Sequence, residues 1–161
     1  NPSLSLQVKH AILQIELYDE QIAEIEALYK QILDEMNTPI LSIPGMSYNQ
    51  AAVIIGCIGD IHRFEHSCQL LAYAGLDPSV IQSGNFQARS TKMSKRGSGM
   101  LRYSLVYSAH NVVKNNKTFR DYYEIKRSQG KSHYCALGHV AHKLVRVIFK
   151  MLKDNVAFNL D

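Results

Sequence analysis

Residues 4–36 of the chain read LSLQVKHAILQIELYDEQIAEIEALYKQILDEM. Apolar or tyrosine side chains recur there at alternating steps of four and three, at Leu4, Val8, Ala11, Ile15, Tyr18, Ile22, Ile25, Tyr29, Ile32 and Met36. This heptad pattern predicts a long coiled-coil helix over residues 1–37. An amphipathic helix lying on its own globular domain needs a similar stripe. The strictness of the repeat favours pairing of helices, either in a homodimer or larger assembly of this chain or with a helix outside it.

The remainder of the chain also has helical spacing. Apolar residues recur at helical spacing in residues 101–113 and 137–151, residues 51–56 form a short apolar run, and residues 64–73 are another helix candidate. Residues 79–99 are too rich in Gly and Ser to be regular throughout, although they can hold a short hairpin. With 161 residues, of which 46% are hydrophobic, the chain can bury one core. We therefore predict an all-α fold with a compact helical domain over residues 38–161.

Residues 40–59 place Pro44-Gly45 between two apolar runs. This order predicts a helix-hairpin-helix-like element, in which a turn connects a short helix to a second helix rich in small residues. Such a turn presents backbone N–H groups at a helix N-terminus, where partial positive charge accumulates and a phosphate can bind. Gly45 is therefore a candidate phosphate contact. An ordinary corner between two helices, with a glycine at the helix end, has the same pattern.

The charge is distributed unevenly along the chain. Residues 1–77 carry three basic and ten acidic side chains, whereas residues 78–120 carry eight basic and no acidic ones. In the densest part, residues 82–102, the basic side chains alternate with hydroxyls and glycines, which is the chemistry that binds a phosphodiester backbone. We therefore expect nucleic acid, above all DNA, as the partner. The candidate phosphate contacts in this part are Gly84, Arg89, Lys92, Ser94, Lys95, Arg96 and Arg102.

The cysteines and the hydropathy pattern exclude other classes of protein. Cys57, Cys68 and Cys135 are far apart and form no C-x-x-C pair, which disfavours a disulfide framework and a zinc ribbon and favours reduced thiols. No apolar run approaches the length of a membrane span, and no signal-peptide pattern is present. We therefore expect a cytoplasmic protein without a membrane partner.

The spacing of the histidines and carboxylates does not predict a set of metal ligands. His62 and His66 stand four residues apart and His139 and His142 three apart, so each pair could face one side of a helix. Neither pair has nearby Cys, Asp or Glu residues that complete a set of three or four ligands. Clustered carboxylates of the kind that bind Mg²⁺ are also lacking. We therefore predict no metal site and no cofactor in this chain.

Four serines, Ser83, Ser90, Ser94 and Ser98, lie inside the basic segment. A serine hydroxyl is a poor nucleophile unless a base takes its proton and cations stabilise the developing charge. Arg and Lys meet the second need, but no His or carboxylate close in sequence meets the first. From the residues alone, each serine is favoured as a phosphate hydrogen-bond donor or a turn former, and the spacing does not select a nucleophile.

An ordered string of motifs carries a family resemblance. It consists of LSIPGM at residues 41–46, Phe64, LAYAGLDP at 71–78, Ser83-Gly84, MSKRG at 93–97 and Leu101-Arg102. From about residue 40 onward, the chain resembles the C-terminal transposase domain of a bacterial insertion-sequence family. That family pairs a RuvC-like DEDD nuclease domain with a serine-bearing helical domain, and it includes the bridge-RNA-guided recombinases. The heptad helix resembles the coiled-coil connector between those two domains.

The resemblance implies a catalytic role for Ser83, which corresponds to the family's nucleophilic serine and would form a transient phosphoserine link to a DNA end. It implies that Lys95 and Arg96 grip phosphates. Many relatives have glycine where this chain has Arg89, which is a departure from the family pattern. The resemblance also places the Mg²⁺ carboxylates in the RuvC-like domain, which this chain lacks, and implies an active site shared between subunits.

Further expectations follow from this resemblance. The chain starts with Asn1-Pro2 instead of Met, and we expect it to be the C-terminal part of a longer, nucleoid-associated bacterial transposase or recombinase that is inactive as this fragment. A guide RNA is a possible second partner. Two other interpretations stay open: a non-catalytic helix-hairpin-helix module that binds nucleic acid, and a coiled-coil adaptor whose basic loop is only solvated. Trapping a phosphoserine at Ser83 separates them from the transposase.

Overall fold

The computed structural model describes residues 1–79 and 92–159, together with the backbone of residues 82–83 and 86–87. In this part of the chain the helices are α1 (Pro2–Glu35), α2 (Tyr48–Ile58), α3 (Ser67–Tyr73), α4 (Gly99–Asn115), α5 (Lys117–Ser128) and α6 (His133–Asp154). Two two-residue strands, β1 (Gln82–Ser83) and β2 (Phe86–Gln87), pair antiparallel between α3 and α4. The prediction of an all-α fold is confirmed, with this short hairpin added.

The chain divides into two compact units, Asn1–Asn37 and Thr38–Asp161. In the first unit, α1 begins at Pro2. Proline suits the first turn of a helix because it has no backbone N–H that would need a hydrogen-bond acceptor. The side chain of Asn1 caps the helix by accepting a hydrogen bond from the Ser3 N–H at 3.2 Å. The predicted long helix is confirmed. Its apolar stripe from Leu4 to Met36 is exposed except at Tyr29, which is half-buried. Pairing of this stripe in a coiled coil stays a prediction.

In the second unit, α6 is the central helix, and α3, α4 and α5 pack against it. Its buried apolar residues recur at helical spacing, at Leu137, Val140, Leu144, Ile148 and Met151. Those of α4 do likewise, at Leu101, Leu105, Ala109 and Val112. These are the stripes that the sequence pattern indicates, because a helix on a core buries one face. No helix in the described ranges has both the length and the apolar character to cross a membrane.

The Pro-Gly segment forms a tight turn. The Met46 N–H donates to the Ile43 carbonyl at 3.0 Å, and Gly45 has φ +88°, as the third residue of a type II turn requires. A four-residue 3-10 turn, Pro39–Ser42, precedes it, and α2 follows it. The first of the two predicted helices is therefore a single 3-10 turn, because residues that precede a proline are disfavoured in the α conformation. A helix-hairpin-helix function for the element stays a prediction.

His62 and His66, which the spacing allowed on one helical face, do not share a helix. His62 lies in a 3-10 turn, Ile61–Arg63, whereas His66 is the residue that precedes α3. The backbone between them is extended at Phe64, so the helical spacing is broken. His139 and His142 do share α6, with ring centroids 6.5 Å apart.

Candidate functional site

An antiparallel arm connects α3 to α4, and we use that name for the described residues 77–79, 82–83, 86–87 and 92–94. We call the end of the arm nearest α3 and α4, residues 77–79 and 92–97, its root. There, Pro78 and Met93 form a β-bridge. Ser79 donates to the Lys92 carbonyl twice, from its N–H at 2.6 Å and from its hydroxyl at 2.8 Å. Farther along, Ser83 pairs with Phe86. Ladder hydrogen bonds therefore hold the two sides of the arm together.

Asp77 and Ser94 close the root of the arm. The Ser94 hydroxyl donates to Asp77 Oδ1 at 2.5 Å, and the Ser94 N–H donates to the Asp77 carbonyl at 2.8 Å. A hydrogen bond to a carboxylate is stronger than one between neutral groups. Sequence reasoning finds no carboxylate near this serine, because Asp77 lies 17 residues earlier. The hydroxyl proton of Ser94, a predicted phosphate contact, is thus directed to Asp77.

The C-terminal end of α3 supports the residues that follow the arm. The Lys95 N–H donates to the Gly75 carbonyl at 3.0 Å, and the Ser98 N–H donates to the Tyr73 carbonyl at 2.7 Å. A Cβ on Gly97 would overlap the Tyr73 carbonyl oxygen, so only glycine permits this approach. The MSKRG motif is therefore fixed against the end of a helix.

Arg102 belongs to the same contact. Its Nη1 donates to the Ala74 carbonyl at 3.1 Å, and its side chain is half-buried. A guanidinium at a helix C-terminus satisfies carbonyls that lack intrahelical partners and stabilises the negative end of the helix dipole. Arg102 is also a predicted phosphate contact. In the structure its guanidinium already binds the Ala74 carbonyl, and a phosphate contact stays a prediction.

Lys92, Lys95 and Arg96 are the exposed cations at the root of the arm. Lys95 has φ +55°, a left-handed conformation that is uncommon for a residue with a side chain. The Ser94 hydroxyl accepts a hydrogen bond from the Arg96 N–H at 3.4 Å. The side chains of Lys95 and Arg96 form no hydrogen bond with any other residue that the structure describes. Exposed cations held on a fixed backbone are suited to phosphate oxygens.

The backbone of Ser83 lies in β1, on the arm whose root carries these three cations. The side chain of Ser83 lies outside the described residues, as do Gly84 and Arg89 entirely. The catalytic role of Ser83 and the phosphate contacts of Gly84 and Arg89 therefore stay predictions.

Gly45, the other predicted phosphate contact, packs against α4. A Cβ there would lie 2.8 Å from the Asn111 carbonyl oxygen and 2.8 Å from Asn115 Nδ2. This close approach and the positive φ both require glycine, whether or not a phosphate binds. Its phosphate contact stays a prediction.

Two histidines of α6 lie near each other, and one of them contacts the residues just before the arm. His142 Nε2 lies 2.5 Å from the Leu76 carbonyl oxygen. Because a carbonyl can only accept, Nε2 carries the proton and donates. Burial, followed by the positive charge of Lys126, lowers the pKa of His139. Within residues 1–79 and 92–159, no three His, Cys, Asp or Glu side chains cluster so as to hold a metal ion.

Sequence reasoning missed a cleft of about 390 Å³ formed by α4 and the start of α6. Its lining residues are Tyr103, Val106, Tyr107, His110, His133, Tyr134 and Leu137. A sequence signal for it exists: Tyr103 and Tyr107 stand four residues apart on α4, off the buried stripe that contains Leu101 and Leu105.

Comparison with known proteins relates the chain to transposases of insertion sequences. The model of the "Transposase IS116/IS110/IS902 family" matches residues 37–124. The chain is similar to the transposase for insertion sequence element IS1111A of Coxiella burnetii, with 36% identity over 105 residues that cover 64% of this chain and 29% of the relative.

Two further relatives match more of the chain. The insertion element IS110 uncharacterized 43.6 kDa protein of Streptomyces coelicolor is 29% identical over 141 residues, 86% of this chain and 35% of the relative. The insertion element IS116 uncharacterized 44.8 kDa protein of Streptomyces clavuligerus is 29% identical over 157 residues, 96% of this chain and 38% of the relative. The chain thus spans 29–38% of the length of these three relatives.

Proposed function

The chain belongs to the IS116/IS110/IS902 family of transposases, and from this we propose that it supplies the serine nucleophile of a DNA transposase or recombinase. The nucleophile is Ser83. Its Oγ bonds to the phosphorus of a DNA phosphodiester, and the serine proton passes to a base. The bond from that phosphorus to one deoxyribose oxygen breaks, and that oxygen takes up a proton and leaves as a hydroxyl. The observation that carries the proposal is the set of exposed cations at the root of the arm on which Ser83 lies.

These cations support both binding and chemistry. Lys92, Lys95 and Arg96 neutralise phosphates, which provides affinity without dependence on base sequence. Positive charge next to a phosphorus under attack also stabilises the charge that develops on its oxygens. The Asp77–Ser94 hydrogen bonds and the Gly97–Tyr73 contact hold this charge in place relative to the arm. In this proposal Ser94 positions the arm.

The proposal extends to partners outside this chain. We place the Mg²⁺ ligands in another part of the transposase, a RuvC-like domain, where the ion would supply charge stabilisation. Pairing of α1 in a dimer or larger assembly would bring that domain of one subunit to Ser83 of another, so this chain alone should make no cuts in DNA. A guide RNA is a further proposed partner, and the bacterial nucleoid is the proposed location.

The test is the Ser83→Ala substitution in the full-length transposase that contains this chain. We expect it to abolish strand exchange and the covalent protein–DNA adduct, because alanine has no nucleophilic oxygen, while the affinity for duplex DNA stays near that of the wild type. Recombination of plasmid substrates and a denaturing gel of the adduct measure both. Ser90→Ala, in the same basic segment, is the matched control and should recombine.

Two outcomes would contradict the proposal. Recombination by Ser83→Ala at the wild-type rate would show that this hydroxyl is not the nucleophile. Duplex binding by the wild-type transposase without any adduct under recombining conditions would favour the non-catalytic binding module instead.

A further inference from the structure

The cleft between α4 and the start of α6 is built from aromatic rings around an apolar floor. Leu137 forms the floor and is buried, whereas Tyr103 and Tyr134 at the rim are 70% and 79% exposed. Tyr107 is 45% exposed. Three large aromatic side chains thus lie on one surface with much of their ring area in water, and exposed apolar clusters of this kind commonly mark binding sites.

Contacts between the rings orient this surface. Tyr103 and Tyr107 stack with ring centroids 6.0 Å apart and planes inclined by 23°. His133 packs edge-on against His110 at 6.0 Å, and its Nδ1 is hydrogen-bonded to the Tyr123 hydroxyl at 2.7 Å. Rings held by neighbours lose less rotamer freedom when a ligand binds. The cleft is therefore organised before any ligand arrives.

The fold does not need these tyrosines for its core. The buried stripe of α4, at Leu101, Leu105, Ala109 and Val112, already packs the helix against its neighbours. Tyr103 and Tyr107 lie off this stripe, and both are exposed, so their rings are free to contact a ligand.

The charge around the cleft identifies the kind of ligand. Helix α4 has no acidic residue, and α6 has none before Asp154. Lys114 is exposed and close enough to His110 to contribute, after burial, to lowering the pKa of that imidazole. Lys131 is exposed just before α6. Cations beside exposed rings match a ligand that has both flat apolar faces and anionic groups, which describes a nucleotide.

The cleft also adjoins the arm. Gly138 follows Leu137 in α6, and a Cβ on Gly138 would lie 3.8 Å from Met93 Cε. Met93 in turn forms the β-bridge with Pro78 at the root of the arm. The root of the arm and the aromatic cleft therefore both lie against α6.

We propose that Tyr103, Tyr107 and Tyr134 stack against unpaired bases of a single-stranded nucleic acid whose phosphates contact Lys114 and the root cations. The stacking tolerates any sequence, because every base has a π face. This inference rests on the nucleic-acid binding in the proposed function but not on the chemistry of Ser83.

The test is binding of labelled oligothymidylate and oligouridylate of about 12 nucleotides, a length suited to a small single-strand site. Fluorescence anisotropy of the 161-residue chain gives the affinity. Tyr103→Ala and Tyr134→Ala should each weaken binding by roughly 5- to 150-fold, the equivalent of one lost base–aromatic stack, while Tyr103→Phe should bind as the wild type does. Because the chain has no Trp, quenching of tyrosine emission provides a second readout of stacking.

Salt titration separates stacking from charge. The alanine variants should keep the wild-type slope of log K against log salt, whereas Lys114→Gln should reduce it by about 0.7, the contribution of one phosphate of a single strand. Met100→Ala is the matched control, since Met100 is 65% exposed on α4 but does not line the cleft. Circular dichroism checks that each variant is folded.

Each outcome decides. If the alanine variants bind both oligonucleotides more weakly than the wild type does, the inference that the tyrosines stack on bases is supported. If only one oligonucleotide binds more weakly, the result identifies DNA or RNA as the ligand. Unchanged binding by both alanine variants, or equal weakening of single strands and duplex, would overturn the inference. Loss of self-association in the alanine variants, with no effect on oligonucleotides, would make the cleft a protein-docking surface. Duplex binding without any tyrosine dependence rejects only this inference, whereas no binding to any nucleic acid rejects the proposed function as well.

Discussion

Gly97 lies where two segments of backbone meet, and its hydrogen in place of a side chain allows the contact. A Cβ at this position would overlap the Tyr73 carbonyl oxygen and lie 2.5 Å from the Gly75 nitrogen. The obstruction consists of backbone atoms, which cannot move away as the end of a flexible side chain can. Gly56, on α2, is the opposite case, because nothing lies within 4 Å of an added Cβ.

We expect Gly97→Ala to lower the free energy of unfolding by roughly 1–3 kcal/mol, the usual effect of forcing an extra carbon into a packed site. Gly56→Ala, the matched control, should raise it by about 0.5–1 kcal/mol, since alanine is the better helix residue. Urea denaturation followed by circular dichroism measures both. Equal stability of the two variants would mean that the contact between the two backbone segments yields easily.

At the scale of elements, α1 is a helix whose stability is hard to explain from its own unit. Most of its apolar side chains are exposed, including Ile22 at 53% and Ile25 at 61%, whereas Leu33 is buried. Helices are stabilised mainly by burying an apolar face, and a strict heptad stripe buries itself best against another helix. The exposed stripe therefore favours the proposed pairing of α1 with a second copy.

Replacing Ile22 and Ile25 with Asp should convert the assembly to monomers, because each buried unpaired carboxylate would cost several kcal/mol. Sedimentation velocity over a range of concentrations gives the oligomeric state. Ala23→Asp with Ala27→Asp is the matched control, since it adds the same charge at outward heptad positions. An Ile22/Ile25 variant that sediments like the wild type would show that the stripe does not pair copies of the chain.

On the scale of the whole molecule, positive charge is concentrated in residues 78–120 and continues on α5, and some of these cations lie close to histidines. Burial lowers the pKa of His110, and Lys114 lowers it further. Burial likewise lowers the pKa of His139, with Lys126 as the next cause. Both imidazoles therefore resist protonation in the folded chain, which connects its stability to pH.

The direction of this pH dependence follows from the histidine pKa values in the folded and unfolded states. An unfolded histidine takes up its proton near pH 6.5, whereas these two folded histidines take it up at lower pH, so below about pH 6.5 the unfolded state binds more protons. We expect the free energy of unfolding to fall as the pH drops below that value and to be nearly constant, as far as these groups are concerned, above it. Urea midpoints across this range measure the effect, and His139→Gln should reduce it. A variant with the same pH dependence as the wild type would contradict the assignment.

Periodicity along the chain was enough to predict α1, α4 and α6 and the apolar faces of the last two, because a helix is built from contacts between residues three and four apart. The motif string from residue 41 to Arg102 was enough to predict the family. Neither could predict that Ser94 would bond to Asp77, that Arg102 would reach Ala74, or that rings from α4 and α6 would meet in one cleft. These contacts join residues that are far apart in sequence, so they depend on how the helices pack, and local spacing carries no information about that packing.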